Sequence, residues 1–203
     1  MTAEEIHAQL TAKFGERIGP LMPPNKLPWA QVTKADDLVE IGQFCKSELG
    51  FDCLINLSGV DWPKRNEIEI VYHLYSYSRR HDFIFKVKLD RAAPSVPSLE
   101  SVWKSADWLE REQYDLLGVE FRGHPDLRRI MMPDDWVGHP LRKDYQEQPS
   151  WHNIETTRES PLDGFVRLDE LTKRKAAAAS VAPAATPALP AAPPAAAKPE
   201  VLQ

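Results

Sequence analysis

Cysteine is scarce in this 203-residue chain: Cys45 and Cys53 are the two thiols, eight positions apart. Without C-x-x-C spacing no single loop wraps an iron–sulfur cluster, a zinc ion or a redox disulfide, so both are expected to pack as small hydrophobes. Long apolar runs are missing too, and the longest fall well short of the roughly 18–20 residues that cross a bilayer. The opening MTAEEIHAQL carries acids where a secretory leader carries lysines, which implies a chain that stays in the cytoplasm. Positive charge is not in excess: 25 Lys and Arg against 30 Asp and Glu give a formal net charge of −5. That balance provides no long-range attraction to phosphate backbones and argues against nucleic acid as a partner. No glycine-rich loop opens a helix and no His-Glu-x-x-His pair occurs, so phosphate cradling and zinc hydrolysis lack their signatures.

What is there suffices for one core: 42% of the residues are apolar, in a length usual for a single domain. From about residue 175 the chain is almost entirely alanine and proline. Such a stretch cannot offset its chain entropy by burial, so a disordered tail over 175–203 is expected. At the other end, Thr2 and Glu5 have capping-box spacing ahead of Ile6, Leu10 and Phe14, which predicts a short amphipathic helix. AQVTK reads as a brief strand. A second helix is expected over 36–49, with Leu38, Ile41, Cys45 and Leu49 in one stripe, Asp36 and Asp37 at its positive end and Gly50 as its stop.

Three runs then alternate with period two: CLINLSGVDW, EIEIVYHLYSY and DFIFKVKLD, joined by the short polar links PKRN and SRRH. They predict an antiparallel meander with Ile68, Ile70, Tyr72 and Leu74 on one face of the second strand, and Phe83, Phe85, Val87 and Leu89 on one face of the third. The two preceding helices are the available cover. The fold class is therefore α+β: N-terminal helices packed on an antiparallel or mixed sheet over 1–122, then an extended arm over 123–174 and the tail. After the sheet, Ser98 and Ser105 read as helix starts and Gly118 as a stop, predicting two short consecutive helices.

From Glu110 to Tyr145 charges, glycines and His-Pro steps crowd together. Arg128, Arg129, Arg142 and Lys143 alternate with Glu110, Glu112, Asp115, Asp134, Asp135 and Asp144, a mixed-sign pattern suited to ion pairing across a protein interface. Pro125, Pro133 and Pro140 hold the chain extended, and Trp108 and Trp136 are of the type that anchors interfaces. His124 and His139 sit in separate Gly-His-Pro steps and are expected to cap backbone or touch a partner rather than ligate metal or act as bases. Glu110 and Glu112 point apart on a helix, so they do not converge on a substrate. Tyr72 faces opposite to Tyr75 and Tyr77, which argues against a base-stacking platform.

The run Glu110-Arg111-Glu112, Asp115-Leu116-Leu117, His124, Arg128, Ile130 and Met131 resembles the signature of the C subunit of the proton-pumping NADH:quinone oxidoreductase, respiratory complex I. GHPLRKDY, from Gly138 through His139, Arg142, Lys143 and Asp144 to Tyr145, resembles that family's second hallmark, and the likeness spans roughly residues 1–150. The resemblance implies a peripheral-arm subunit on the cytoplasmic side of the inner membrane, bound to it through the complex. It implies docking against the quinone-site D subunit and the neighbouring B and I subunits, with no catalytic, cofactor or metal residue of its own. FMN and the iron–sulfur clusters belong to the partner subunits. The equivalent subunit of a plastoquinone-reducing or membrane-bound hydrogenase complex is the near alternative, and a free-standing metal-dependent hydrolase the distant one. On this reading, alanine at Arg128 or Arg142 disrupts assembly more than folding.

Overall fold

The computed structural model describes residues 1–22 and 27–156, and Met1–Thr156 form one compact unit. The boundary expected at residue 122 falls inside that unit. The tail over 175–203 and the arm beyond 156 lie outside the described residues.

Helix α1 (Ala3–Phe14) starts on the expected capping box: the Thr2 hydroxyl accepts from the Glu5 amide and the Glu5 carboxylate accepts from the Thr2 amide. Ile6, Leu10 and Phe14 are buried. Helix α2 (Leu38–Ser47) is shorter than expected at both ends. The acids Asp36 and Asp37 fall in a preceding 3-10 turn, Ala35–Asp37. Leu49 still joins the core from beyond the helix end, just before Gly50 turns the chain at φ +69°.

The main sheet has β1 (Trp29–Val32), β2 (Cys53–Trp62), β3 (Glu67–Ser76) and β4 (His81–Asp90) in the spatial order β1-β4-β3-β2. The meander β2-β3-β4 is antiparallel as expected, while β1 joins the far side of β4 in parallel, making the sheet mixed. Register puts Ile70 opposite Val87, Tyr72 opposite Phe85 and Leu74 opposite Phe83, so both apolar stripes face the same side. There they share one core with Ile6, Leu10, Leu38, Ile41 and Cys45 from the two helices. Each large side chain removed from water in that core contributes about 1.5–3 kcal/mol before entropy is counted. A register shift between Leu54 and Asn56 leaves Ile55 outside the alternation, 45% exposed.

Where two helices were expected after the sheet there is one. Ser95–Pro97 is a strand, β5, paired in parallel with β6 (Glu120–Arg122), and only α3 (Ala106–Leu117) is helical between them. Ser105 stands at the N-cap of α3, as expected, but neither serine hydroxyl caps a helix. The Ser98 hydroxyl is engaged by the Glu110 carboxylate and that of Ser105 by the Leu54 carbonyl, while Trp103 donates its indole N–H to Phe51 O and holds the intervening turns against the core.

Candidate subunit interface

Helix α3 crosses the open edge of β2, and its position depends on a glycine. A Cβ on Gly59 would lie 2.2 Å from Leu117 Cδ1 and 2.8 Å from Gln113 Oε1, so any side chain there would force those two helix side chains to shift. At that approach the Gln113 amide takes the place of a neighbouring strand: Oε1 accepts from Gly59 N at 2.8 Å and Nε2 donates to Leu57 O at 3.3 Å. One turn earlier, the Glu110 carboxylate is fully buried and accepts from Ser98 Oγ (2.6 Å) and Leu99 N (2.7 Å). Desolvation outweighs those hydrogen bonds, and with Glu100 and Asp107 nearby the Glu110 pKa is raised to about 7.

Asp115, also fully buried, faces the arm. Its Oδ2 accepts from the amides of Ile130 (3.2 Å), Met131 (2.7 Å) and Met132 (2.8 Å), and Oδ1 pairs with Arg129 Nη1 at 3.2 Å. Arg111 is likewise turned inward: its Nε donates to Arg128 O at 3.3 Å and its guanidinium lies 5.0 Å from the Trp108 ring centre. The arm then returns to the end of the helix. His139 Nδ1 donates to Asp115 O (2.9 Å), the Leu141 amide to Leu116 O (3.0 Å) and Arg142 Nε to Leu117 O (2.8 Å). The last carbonyls of a helix lack intrahelical partners and carry negative partial charge, so an amide, an imidazole N–H and a guanidinium satisfy them on both counts. Gly118 makes room: at φ +73° its absent Cβ would sit 2.5 Å from His139 Nε2.

A second anchor lies at the end of β2. Asp61, its side chain wholly buried, accepts from Arg91 Nε (2.7 Å) and Nη2 (3.1 Å) and from the Lys143 amide (2.8 Å). Arg91 also pairs with Asp144 at 2.5 Å. The Arg91 guanidinium holds both carboxyls below the usual carboxylate range.

The expected site residues therefore divide. Glu110, Arg111, Asp115, His139 and Arg142 are engaged inside the chain, and Asp144 is paired with Arg91. His124 lies against α3, within 3.3 Å of Asp107 O and Oδ1, and its Nδ1 accepts from the Asp126 amide. Tyr145 accepts from Trp136 Nε1 at 3.0 Å. Arg128 is exposed and, among the described residues, its side chain pairs only with Asp126 two residues away, and the Lys143 side chain is exposed as well. Glu112 is half-buried with no hydrogen bond or ion pair among the described residues. The two histidines are held at different carbonyls, and no three His, Cys, Asp or Glu side chains converge to hold a metal among the described residues. Outward from this framework stand apolar side chains: Trp108 (64% exposed), Met131 (60%), Val137 (66%) and Leu141 (49%). Sequence reasoning missed Asp61 and Arg91, whose pairing across separate strand ends leaves no local signal. Gly59 and Gln113 were also missed, although a glycine inside a strand is itself a sign of close approach.

An α+β domain whose arm is fixed by its own motif residues, with apolar side chains left uncovered, is built like a component of a larger assembly. Residues 31–150 match the family model described as the 30 kDa subunit of respiratory-chain NADH dehydrogenase. The C subunit of the NADH-quinone oxidoreductase of Moorella thermoacetica is 50% identical over 119 residues, 59% of this chain and 80% of that protein. The C subunit of the F(420)H(2) dehydrogenase of Methanosarcina mazei is 39% identical over 151 residues, 74% of this chain and 96% of that one. Among solved structures, the trypsin-resistant fragment (1–134) of Nqo5 superposes with a TM-score of 0.54 at 28% identity, covering 63% of this chain and all of the fragment. The chain belongs to the 30 kDa subunit family of respiratory-chain NADH dehydrogenase.

Proposed function

We propose that this chain is a structural subunit of the peripheral arm of a proton-translocating NADH:quinone oxidoreductase, contributing to electron transfer from NADH to quinone only as part of the assembly. The observation that carries this reading is the division within the motif region. Its buried ionic groups fix the arm on the domain, while Met131, Val137, Leu141 and Trp108 remain exposed on the same framework. Single apolar side chains are ordinary on a surface, but several of them exposed along an arm that is hydrogen-bonded to its own domain support a partner-facing role. The partners are the other peripheral-arm subunits, chiefly the quinone-site D subunit and the neighbouring B and I subunits, on the cytoplasmic side of the inner membrane. No helix among the described residues is long and apolar enough to cross a membrane, so the chain reaches the membrane through its partners. FMN and the iron–sulfur clusters reside in those partners. Supporting that placement, Cys45 is buried in the apolar core and Cys53 stands on a separate element, without the close spacing with which a loop wraps a cluster.

Purification of the tagged chain from its native membrane tests this. Co-purification with a flavin-bearing NADH subunit and NADH:quinone activity is the expected result, and a chain recovered alone, or turning over a substrate when pure, overturns it. The second reading, the equivalent subunit of a related membrane complex, is favoured by the likeness to the F(420)H(2) dehydrogenase subunit. It predicts the same co-purification without the NADH subunit.

A further inference from the structure

Beyond the clamp, the arm curls around an open cavity of about 630 Å³ whose walls include Met132, Trp136, Tyr145 and Trp151, with Glu147 the one charged residue among the described residues that line it. The walls are held in place from outside. Trp136 Nε1 donates to the Tyr145 hydroxyl at 3.0 Å, and the Tyr145 ring lies against Gly138, 3.0 Å from where a Cβ would stand. Trp151 is set by a small hairpin, β7 (Ser150–Trp151) and β8 (Ile154–Glu155), whose two turn residues, His152 and Asn153, take left-handed φ of +50° and +63°. His152 ties that hairpin to Asp135 through a 2.6 Å contact. The Trp136 and Trp151 rings are 6.1 Å apart and inclined at 53°, so the cavity has aromatic surface on more than one side.

Charge decides what such a cavity fits. Glu147 has no hydrogen bond or ion pair among the described residues and Asp134 precedes the wall close by, while Asp135 is taken up by His152. Among the described residues of the arm, Arg129 pairs with Asp115, Arg142 with the end of α3 and Arg128 with Asp126, the Lys143 side chain is exposed, and no described Lys or Arg lines the cavity. Aromatic faces carry negative quadrupole potential, and an unpaired carboxylate beside them adds a full charge. A planar guanidinium stacks on such rings and offers paired N–H donors to a carboxylate, which a purely apolar or proline-rich insert does not.

We infer that this aromatic cavity with Glu147 at its edge receives an arginine side chain from an adjoining subunit of the same membrane assembly. The inference rests on the subunit reading above and adds to it a specific recognition site. The test uses the assembled complex, with a photoreactive amino acid at exposed Asp134, next to the cavity lining, and separate complexes carrying Glu147→Gln and Glu147→Arg. Cross-linking at Asp134 is expected to capture a stretch of another subunit with an arginine within a few residues of the adduct. Glu147→Gln is expected to speed loss of this chain in a salt wash by about tenfold, and Glu147→Arg by more, as truncation of one partner of an interfacial charge pair does. Placing glutamate at the captured arginine is expected to restore retention of the Glu147→Arg chain. Thermal unfolding of the free full-length variants, expected unchanged, separates an interface effect from misfolding. Capture of an apolar or proline-rich stretch without a cation, or retention of both variants like the parent chain, overturns the inference and leaves the subunit reading intact. A parent chain that never enters a membrane assembly overturns both.

Discussion

Asp115 is the residue on which most of the arm's attachment converges. Three amides and one guanidinium meet a carboxylate that water does not reach. Asp115→Asn keeps the shape, removes the charge and turns an N–H toward donors it cannot accept. Leaving buried partners of an ion pair uncompensated costs about 3 kcal/mol or more, so urea unfolding of the free chain is expected to show that loss. A change under about 1 kcal/mol, the net value of an ordinary hydrogen bond, would mean that the arm holds without its clamp. Glu110 makes the stability of the chain depend on pH. Its pKa is raised from 4.5 to about 7 in the folded chain, so the native state binds the proton more tightly than the unfolded one. The stability this group supports is whole below about pH 4.5, declines as pH rises and is gone above about pH 7. Glu110→Gln is expected to flatten that decline and to stabilise the chain at pH 8 by up to about 3 kcal/mol, the free-energy equivalent of the shift. Unfolding curves at pH 5 and pH 8 check it, and a Gln variant that keeps the parent's pH slope counts against a buried, proton-hungry carboxyl.

At the scale of elements, α3 explains why the motif region reads so poorly as an isolated helix. Glu112, Asp115 and Glu110 with a single arginine make a bad solvent-facing stripe, because two of those acids never face solvent. They are turned one to β5 and one to the arm, contacts between residues about 12 to 17 positions apart in the chain. The strands were legible for the converse reason: with one face of β3 and β4 in the core, period-two alternation is written directly into the chain. Pairing of β1 was not legible, since a four-residue strand carries too little pattern to choose an edge or a direction. The expected helix start at Ser98 failed, while that at Ser105 held, because the Ser98 hydroxyl has a distant acceptor in Glu110 which no local capping rule anticipates. Gln113 shows what α3 does for the sheet. It satisfies a donor and an acceptor on the otherwise unpaired edge of β2, where a free strand edge invites pairing with another chain. Gln113→Leu strands both groups and is expected to cost about 1–3 kcal/mol for each. Gly59→Ala pushes Leu117 away and is expected to cost about 1–3 kcal/mol by overpacking. Differential scanning calorimetry of the two variants, with light scattering for edge association of the Gln113 variant, checks both.

For the whole molecule, sequence alone treats the arginines of the motif region as equals waiting for partners in other chains, and the structure separates them. Arg142 caps the last carbonyl of α3 from within the same chain, whereas exposed Arg128 has, among the described residues, only a neighbouring aspartate for its side chain. The expectation that either alanine variant harms assembly more than folding is therefore corrected for Arg142: the difference is that a helix end is a fixed internal acceptor which sequence spacing does not reveal. Arg142→Ala is expected to lower the stability of the free chain by about 1–2 kcal/mol, from a charged hydrogen bond and its interaction with the helix dipole. Its arm should become mobile, so amide exchange at Met131, Met132 and Leu141 should quicken while β3 and β4 keep their protection. Arg128→Ala is expected to leave free-chain stability within about 0.5 kcal/mol, as an exposed local ion pair does, and any effect should appear only in the amount of chain retained by the membrane assembly. Hydrogen exchange of the two variants as free chains, set beside their retention in the assembly, decides the matter. If Arg142→Ala exchanges like the parent, or Arg128→Ala loosens the free arm as much, then the motif is not the internal brace described here and its ions belong to the interface alone.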